Sequence, residues 1–286
     1  MASLQDIRRR IKSVKNIQQI TNAMNMVATS RLRRAKENAQ NNKPYAEKTR
    51  EVIAEIARNA KNANHPLLEV REEGKKLILV IAADKGLAGA YSSNVMKETV
   101  ANIEDKGNTE IVAVGRKSNE YFKNRGYSVA KSFTGISERP KYENAKEIAD
   151  FIIEKFKEGG VKEVVMIYSR FVSAITCIPE PVKLLPFESK EGEEKTESGF
   201  RTEYIYEPDA ETVLKTLLPQ YLVTVIYAAM LQAAASELSS RMNAMQNATD
   251  NAGELIAKLD LHYNKVRQAG ITNEINEIVG GANALA

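Results

Sequence analysis

A short glycine-containing turn is the strongest candidate in this sequence for binding chemistry. Residues 84–89 read Asp-Lys-Gly-Leu-Ala-Gly, and they follow a strand-like apolar run at 76–82. Because backbone N–H groups of such a turn can approach an anion, the segment is compatible with phosphate binding. The patterns G-x-x-x-x-G-K-[ST] and G-x-G-x-x-G are both absent from the sequence. We therefore favour a tight strand-to-helix turn as the use of both glycines.

Side chains that carry nucleophilic or metal chemistry are scarce. His65 precedes a proline, and His262 lies among helical apolar residues, where packing is the commoner role. The single cysteine, Cys177, excludes an internal disulfide and a cysteine-based zinc site. The sequence therefore predicts no catalytic residue, no cofactor site and no metal site, and indicates a chain that is not an enzyme.

Two long helix-forming stretches flank the rest of the chain. No glycine precedes Gly74 and no proline follows Pro219. The apolar residues of the first helix recur at steps of three and four, which is typical of a stripe that packs on another helix. That series is Leu4, Ile7, Ile11, Val14, Ile17, Ile20, Met24 and Val27. Pro44 predicts a kink or break in this helix.

The C-terminal helix is predicted from Gln220 to about Gly280, which would rise roughly 90 Å if unbroken. Two series repeat every seven residues: Met245, Ala252, Leu259 and Val266, and Ala248, Leu255, His262 and Ala269. A helix of this length cannot be buried within its own domain, so we expect it to project into solvent or to be enclosed by another protein. Its small, apolar tip at 278–285 fits a narrow apolar sleeve better than water.

The middle of the chain alternates strands with helices, which indicates an open, Rossmann-like α/β sheet. Strands are predicted at 76–82, 110–114, 127–129, 163–168, 174–178 and 204–206. The predicted fold class is α/β, with a long coiled coil of the N- and C-terminal helices and a central open α/β domain. The predicted domains are 1–70, 75–207 and 209–286.

Charge is concentrated at the N-terminus. The net charge is +4, but residues 1–36 hold nine basic side chains against Asp6 alone, a balance of 9 − 1 = +8. This segment is compatible with phosphate contacts to a nucleic acid or with an acidic protein surface. No aromatic residue precedes Tyr45, so base stacking is not supported. The longest apolar run, 77–83, is too short to span a bilayer, and membrane contact is expected only through a partner.

Four segments decide between these alternatives. The segments at 19–28, 86–94, 240–252 and 271–284 resemble the corresponding motifs of the ATP synthase gamma subunit family, in its bacterial F-type form. The resemblance extends over the whole chain, and the C-terminal segment is its most specific part. Asn22 replaces a usual lysine and Lys85 a usual arginine, and the cysteine-bearing insertion of chloroplast forms is absent.

The resemblance implies a non-catalytic rotor subunit. In this family the terminal helices form an antiparallel coiled coil inside a ring of alpha and beta subunits. The α/β domain lies beside the epsilon subunit and on the membrane c-ring, at the cytoplasmic face of the cell membrane. The implied role is to couple ion-driven rotation to ATP synthesis or hydrolysis by the ring. A basic coiled coil that binds nucleic acid remains the alternative from composition.

The resemblance also assigns contact residues. Arg267, Gln268, Thr272 and Glu274 match positions that face catch loops of the beta subunits. Arg31, Arg33 and Arg34 form a basic collar opposite acidic loops of those subunits, and Met24 and Arg241 match positions linked to coupling. Tyr204, Tyr206 and Glu207 match the segment that touches the c-ring. Neither the resemblance nor the pattern explains Gly253 and Gly270.

Overall fold

The computed structural model describes residues 4–59, 65–187 and 210–285. The helices are α1 Leu4–Asn59, α2 Tyr91–Ala101, α3 Arg116–Asn124, α4 Tyr142–Lys157 and α5 Ala210–Leu285, with a 3-10 turn at Pro66–Leu68. The strands are β1 Lys75–Ile81, β2 Thr109–Val114, β3 Ser128–Phe133, β4 Val161–Phe171 and β5 Cys177–Leu185. The chain divides into two compact units, one of Met1–Thr29 with Arg241–Ala286 and one of Ser30–Ser240. The predicted three-part division by chain segment stays a prediction.

The unit of Ser30–Ser240 is built on a five-stranded sheet in the order β3-β2-β1-β4-β5. The pairs β1–β2, β1–β4 and β2–β3 are parallel, and β5 runs antiparallel to β4. The central strand β1 is apolar without alternation because both of its faces are covered, as in doubly wound sheets. The predicted open α/β sheet is confirmed.

Side chains of β1 alternate between two cores. Leu77 and Leu79 face a core formed with α4, α5 and the later part of α1, whose Ile53 is fully buried there. Ile78 and Val80 face a second core that contains Val95 of α2 and Phe122 of α3. The sheet is therefore covered by helices on both faces.

Several boundaries differ from the sequence-based prediction, and the largest differences lie in α1, α5 and β5. A kink or break was predicted at Pro44; the break is wrong, because α1 continues through this exposed proline to Asn59, and the kink stays a prediction. Helix α5 begins at Ala210 and continues through Pro219. The strand predicted at 174–178 begins only at Cys177, because the Ser173 hydroxyl accepts the N–H groups of residues 175 and 176 and closes a turn. The strand predicted at 204–206 lies outside the described residues.

Among the described residues, the Thr212–Asn283 segment of α5 is long and apolar enough by composition to cross a membrane. More than half of its apolar window is buried within the protein. Leu214, Leu222 and Ile226 of this helix pack in the sheet's core. A core helix passes the same compositional test, and packing accounts for the apolarity of this one.

Candidate partner-binding surfaces of the terminal helices

The first 26 described residues of α1 and the last part of α5 pack against each other in antiparallel directions. Near one end of the pair, the Arg8 Nε donates to the Tyr263 hydroxyl at 3.1 Å, and near the other Asn25 contacts Gln246. Buried and half-buried positions alternate at steps of four and three on both helices. They are Ile7, Ile11, Val14, Gln18, Thr21, Asn25 and Ala28 on α1, and Met245, Thr249, Ala252, Ile256, Leu259, Tyr263 and Val266 on α5. This alternation is the heptad of a coiled coil, and it confirms the predicted antiparallel pair.

The positions in this seam differ from those predicted for both helices. Ile17, Ile20 and Val27 were predicted to face α5, but each is at least 50% exposed. On α5 the series through Met245 is confirmed, whereas the series through Leu255 is wrong, since Leu255 is 46% exposed. The prediction followed apolar residues from step to step, whereas the packed helices keep a strict heptad that passes through polar residues.

A polar layer occupies the middle of this seam. The Thr21 and Thr249 hydroxyls lie 2.8 Å apart, and the Gln18 Nε2 donates to the Thr249 carbonyl at 3.4 Å. A Cβ added to Gly253 would lie 3.1 Å from the same Gln18 nitrogen, so this glycine allows the close approach. Polar pairs at seam positions select one register of a coiled coil, since any slip leaves them unpaired.

The four predicted catch-loop residues all lie on exposed turns near the end of α5. Arg267 and Glu274, seven residues apart, share one side of the helix, and Gln268 and Thr272 share the adjacent side. The Thr272 hydroxyl donates to the Gln268 backbone carbonyl at 2.9 Å, and both side chains are exposed. The structure therefore brings these residues together as one polar surface on a rigid helix.

An apolar stripe begins among these polar residues, at Ile271, and continues beyond them. Ile271, Ile275, Ile278 and Val279 are 49%, 54%, 72% and 52% exposed, and their spacing places them on one side of α5. Every described side chain from 271 to 283 is exposed. Contiguous exposed apolar surface of this kind marks a binding surface in a stable protein.

The basic collar is not uniform. Arg33 and Arg34 are exposed, whereas the Arg31 Nη1 lies 2.7 Å from Glu138 Oε2 in an ion pair within the chain. Glu138 was not predicted, and the separation of 107 residues leaves no sequence signal for the pair. Met24 is half-buried and Arg241 is 7% exposed, both in the coiled-coil unit. The predicted c-ring residues Tyr204, Tyr206 and Glu207 lie outside the described residues.

The glycine turn after β1 is closed by the chain's own carboxylate. Asp84 Oδ1 accepts the Arg116 N–H at the start of α3 at 3.1 Å, and Oδ2 accepts the Ser137 N–H at 3.0 Å. Burial alone would raise the pKa of Asp84, but hydrogen bonds from the backbone of Gly135, Ser137 and Arg116 outweigh it and lower the pKa. Asp84 therefore joins the turn after β1 to the loops that follow β2 and β3.

Gly115 is required where these loops meet. Its φ is +94°, and an added Cβ would lie 2.2 Å from the Ala82 carbonyl oxygen.

In the part of the chain that the structure describes, no group of three or more His, Cys, Asp or Glu side chains could hold a metal ion.

Together these features define a coiled-coil protein whose two helices are the ends of one chain that also forms an open α/β domain. A family model described as ATP synthase matches residues 3–285. ATP synthase gamma chains of Desulforamulus reducens and Halothermothrix orenii are 48% and 43% identical to this chain, each over 100% of both chains. The chain therefore belongs to the ATP synthase gamma chain family.

Solved structures agree with the fold. A chain from the Euglena gracilis mitochondrial ATP synthase has a TM-score of 0.68 at 16% identity, covering 99% of this chain and 94% of its own. A chain from the central stalk and c-ring structure of the Tetrahymena thermophila mitochondrial enzyme has a TM-score of 0.63 at 24% identity. That match covers 80% of this chain and 99% of the other.

Proposed function

We propose that this chain is the central-stalk rotor of a bacterial F-type ATP synthase, carrying rotation between a membrane c-ring and a ring of alpha and beta subunits. The observation that carries the proposal is the exposed end of α5, where a polar surface at Arg267–Glu274 adjoins an apolar stripe at Ile271–Val279. Family membership over residues 3–285 supports the same role.

The surfaces of the terminal helices suit a ring of partners better than a single ligand. The apolar stripe of α5 would sit in an apolar sleeve, where its burial replaces exposure to water. The polar surface would bind beta-subunit catch loops through Arg267, Gln268, Thr272 and Glu274. Arg33 and Arg34 of the collar would face acidic loops of the same subunits, which sets orientation more than affinity.

Rotation of an asymmetric helix pair within a ring changes the contacts of each ring subunit in turn. A contact that is stronger in one conformation of a catalytic subunit than in another shifts that subunit's equilibrium. ATP chemistry in this proposal belongs to the ring, and this chain is not itself catalytic. Met24 and Arg241, in the coiled-coil unit, are the proposed coupling positions.

The α/β domain would lie beside the epsilon subunit at the cytoplasmic face of the cell membrane. Tyr204, Tyr206 and Glu207 are the proposed c-ring contacts, so the chain would meet the membrane only through partners. The nucleic-acid alternative rested on the basic residues of α1. Two of these are engaged within the chain, since Arg31 pairs with Glu138 and Arg8 stacks on Tyr263.

The polar surface of α5 gives a direct test. The substitutions Arg267→Ala and Gln268→Ala remove exposed side chains from a helix in which alanine is the best former, so helix stability should not fall. Loss of one partner hydrogen bond at each position costs about 0.5–1.5 kcal/mol, or roughly 2–12-fold in coupled ATP synthesis. Synthesis is measured in membrane vesicles, with co-purified alpha and beta subunits quantified in the same preparation.

Glu254→Ala is the matched control, since Glu254 is exposed on the same helix but lies outside the polar surface. The proposal predicts full synthesis for this control and reduced synthesis for both test variants at equal assembly. Normal synthesis in the double variant would remove the polar surface from the mechanism. Recovery of the tagged chain without alpha and beta subunits would refute the rotor role itself.

A further inference from the structure

The loop between β3 and α4 holds a carboxylate that contacts two cations from different elements. Glu138 Oε2 lies 2.7 Å from Arg31 Nη1 of α1 and 3.2 Å from Lys85 Nζ of the β1–α2 loop. The Glu138 side chain is only 15% exposed, against 39% for Arg31. Partial burial limits solvent screening, so this pair is stronger than an ordinary surface ion pair.

The residue before Glu138 is anchored to the sheet. The Ser137 N–H donates to Asp84 Oδ2 at 3.0 Å, and the Asp84 N–H donates to the Ser137 hydroxyl at 3.0 Å. Both residues are 7% exposed. Neighbouring residues of one loop therefore hold the carboxyl end of β1 on one side and α1 on the other, which fixes the position of the Glu138 backbone.

This contact holds α1 at a point far from its packing in the core of the α/β domain. Ile53 and Ile56 of α1 pack in the core of that domain. Arg31 lies 22 residues earlier on the same helix, which corresponds to about 33 Å along its axis. Between these points a buried or half-buried residue recurs every three or four positions from Leu32 to Thr49, so α1 is also packed along this length. The ion pair adds a directional polar contact at the far end of this packed stripe, where it opposes tilting of the helix most effectively.

We propose that Glu138 is a positioning residue that holds α1 on the α/β domain through Arg31. Because this contact restricts movement of the helix relative to the domain, torque passes between them without loss of rotation. The inference rests on the proposed rotor function and assigns Arg31 a contact within the chain. Lys85 contributes less, since its side chain is 65% exposed and its contact is longer.

Movement of α1 relative to the α/β domain is measured as the width of the distance distribution between two spin labels on the full chain. The labels are placed at Ser30→Cys on α1 and Glu147→Cys on α4, two exposed positions, with the native thiol removed by Cys177→Ser. Glu138→Gln should raise the population outside the main distance peak about fivefold, which is about 1 kcal/mol at 1.4 kcal/mol per tenfold. Arg31→Met should broaden the distribution equally, whereas Arg31→Lys keeps the charge and should retain a narrow peak.

Lys75→Met is the matched control. The Lys75–Glu110 ion pair is as short, at 2.7 Å, but it joins two strands already held by their ladder. This variant should leave the distribution unchanged. A distribution for Glu138→Gln that matches the wild type would overturn the proposal, and a folded Arg31→Met chain with a narrow peak would do the same.

The functional arm uses the assembled complex in vesicles. Glu138→Gln should lower the ratio of ATP synthesis to ATP hydrolysis, most strongly when the ion gradient is small. The reason is that part of each rotation is then lost in movement of α1 relative to the α/β domain. A broadened distribution with an unchanged ratio would overturn the torque role. Failure of the wild-type chain to assemble would instead contradict the proposed function, since the label distances on the free chain do not depend on it.

Discussion

The polar layer of the coiled coil yields a prediction in which two substitutions compensate each other. Thr21 and Thr249 face each other with their hydroxyls 2.8 Å apart, and both are half-buried. Thr21→Val or Thr249→Val alone leaves the other hydroxyl without its partner on the opposite helix. The double substitution replaces both hydroxyls with methyl groups that can pack on each other.

The magnitude follows from the bonds that each hydroxyl makes. Each also contacts a carbonyl of its own helix, Gln18 at 3.1 Å from Thr21 and Met245 at 2.8 Å from Thr249. In a single variant the substituted residue loses both of its contacts, whereas the remaining hydroxyl keeps its own carbonyl and loses only the interhelical contact, which is worth about 1 kcal/mol. The double variant loses the shared interhelical contact only once, so its loss should be smaller than the sum of the two single losses by a coupling energy of about 1 kcal/mol.

Native-state hydrogen exchange of the α1 amides from Val14 to Ala28 measures the free energy of opening of the coiled coil. Thr29→Val is the matched control, because the Thr29 hydroxyl is exposed and contacts only Asn25 of its own helix, the carbonyl at 2.9 Å and the side-chain Oδ1 at 3.2 Å. This variant should change the opening free energy by less than about 0.5 kcal/mol. Single-variant losses that simply add in the double variant, within about 0.3 kcal/mol, would refute the reasoning.

Three further predictions concern other parts of the chain. Gly270→Ala should stabilise the end of α5 by up to about 1 kcal/mol, because no atom would lie within 4 Å of the new Cβ. Gly253→Ala should stabilise the helix less, because its Cβ would displace the Gln18 side chain. Amide exchange of α5 compares the two variants. Asp84→Asn should destabilise the α/β domain by about 1–3 kcal/mol at neutral pH. The pKa of Asp84 is lowered by folding, so its carboxylate stabilises the folded state at pH values above the ordinary pKa of 3.8. This stabilisation is lost as the pH falls through the folded-state pKa. The difference in unfolding free energy between wild type and Asp84→Asn should therefore shrink on acidification, as urea unfolding at several pH values would show. Ile53→Ala should cost about 2–5 kcal/mol in the same assay, since Ile53 is fully buried, and a cost below about 1 kcal/mol would contradict its place in the core.

The sheet was predictable because β1 and β4 are continuous apolar runs bounded by turn residues. Local pattern suffices for such strands, since both faces are buried. Strand β3 was harder, since its burial is slight and only Val129 and Phe133 are half-buried. Helix α1 crosses Pro44 because the carbonyl left without a donor faces water on an exposed turn, which sequence alone does not show.

The candidate surfaces were predicted unevenly. Arg267, Gln268, Thr272 and Glu274 came from the resemblance, and helix geometry alone was then enough to group them. The packed positions around Thr21 could not be predicted from the pattern of apolar residues. A polar side chain at such a position stabilises the helix pair only when a residue of the other helix hydrogen-bonds to it. The Arg31–Glu138 contact depends on how α1 packs on a loop 107 residues away, and no local pattern carries that information.

Rotation itself is the measurement that tests the central claim most directly. The alpha and beta ring is fixed to a surface, and a bead is attached to Glu104→Cys, an exposed position after α2, in a Cys177→Ser chain. The rotor account predicts that the bead turns in one direction when ATP is added and stops when ATP is removed. A bead that stays still while the same complexes hydrolyse ATP would contradict it.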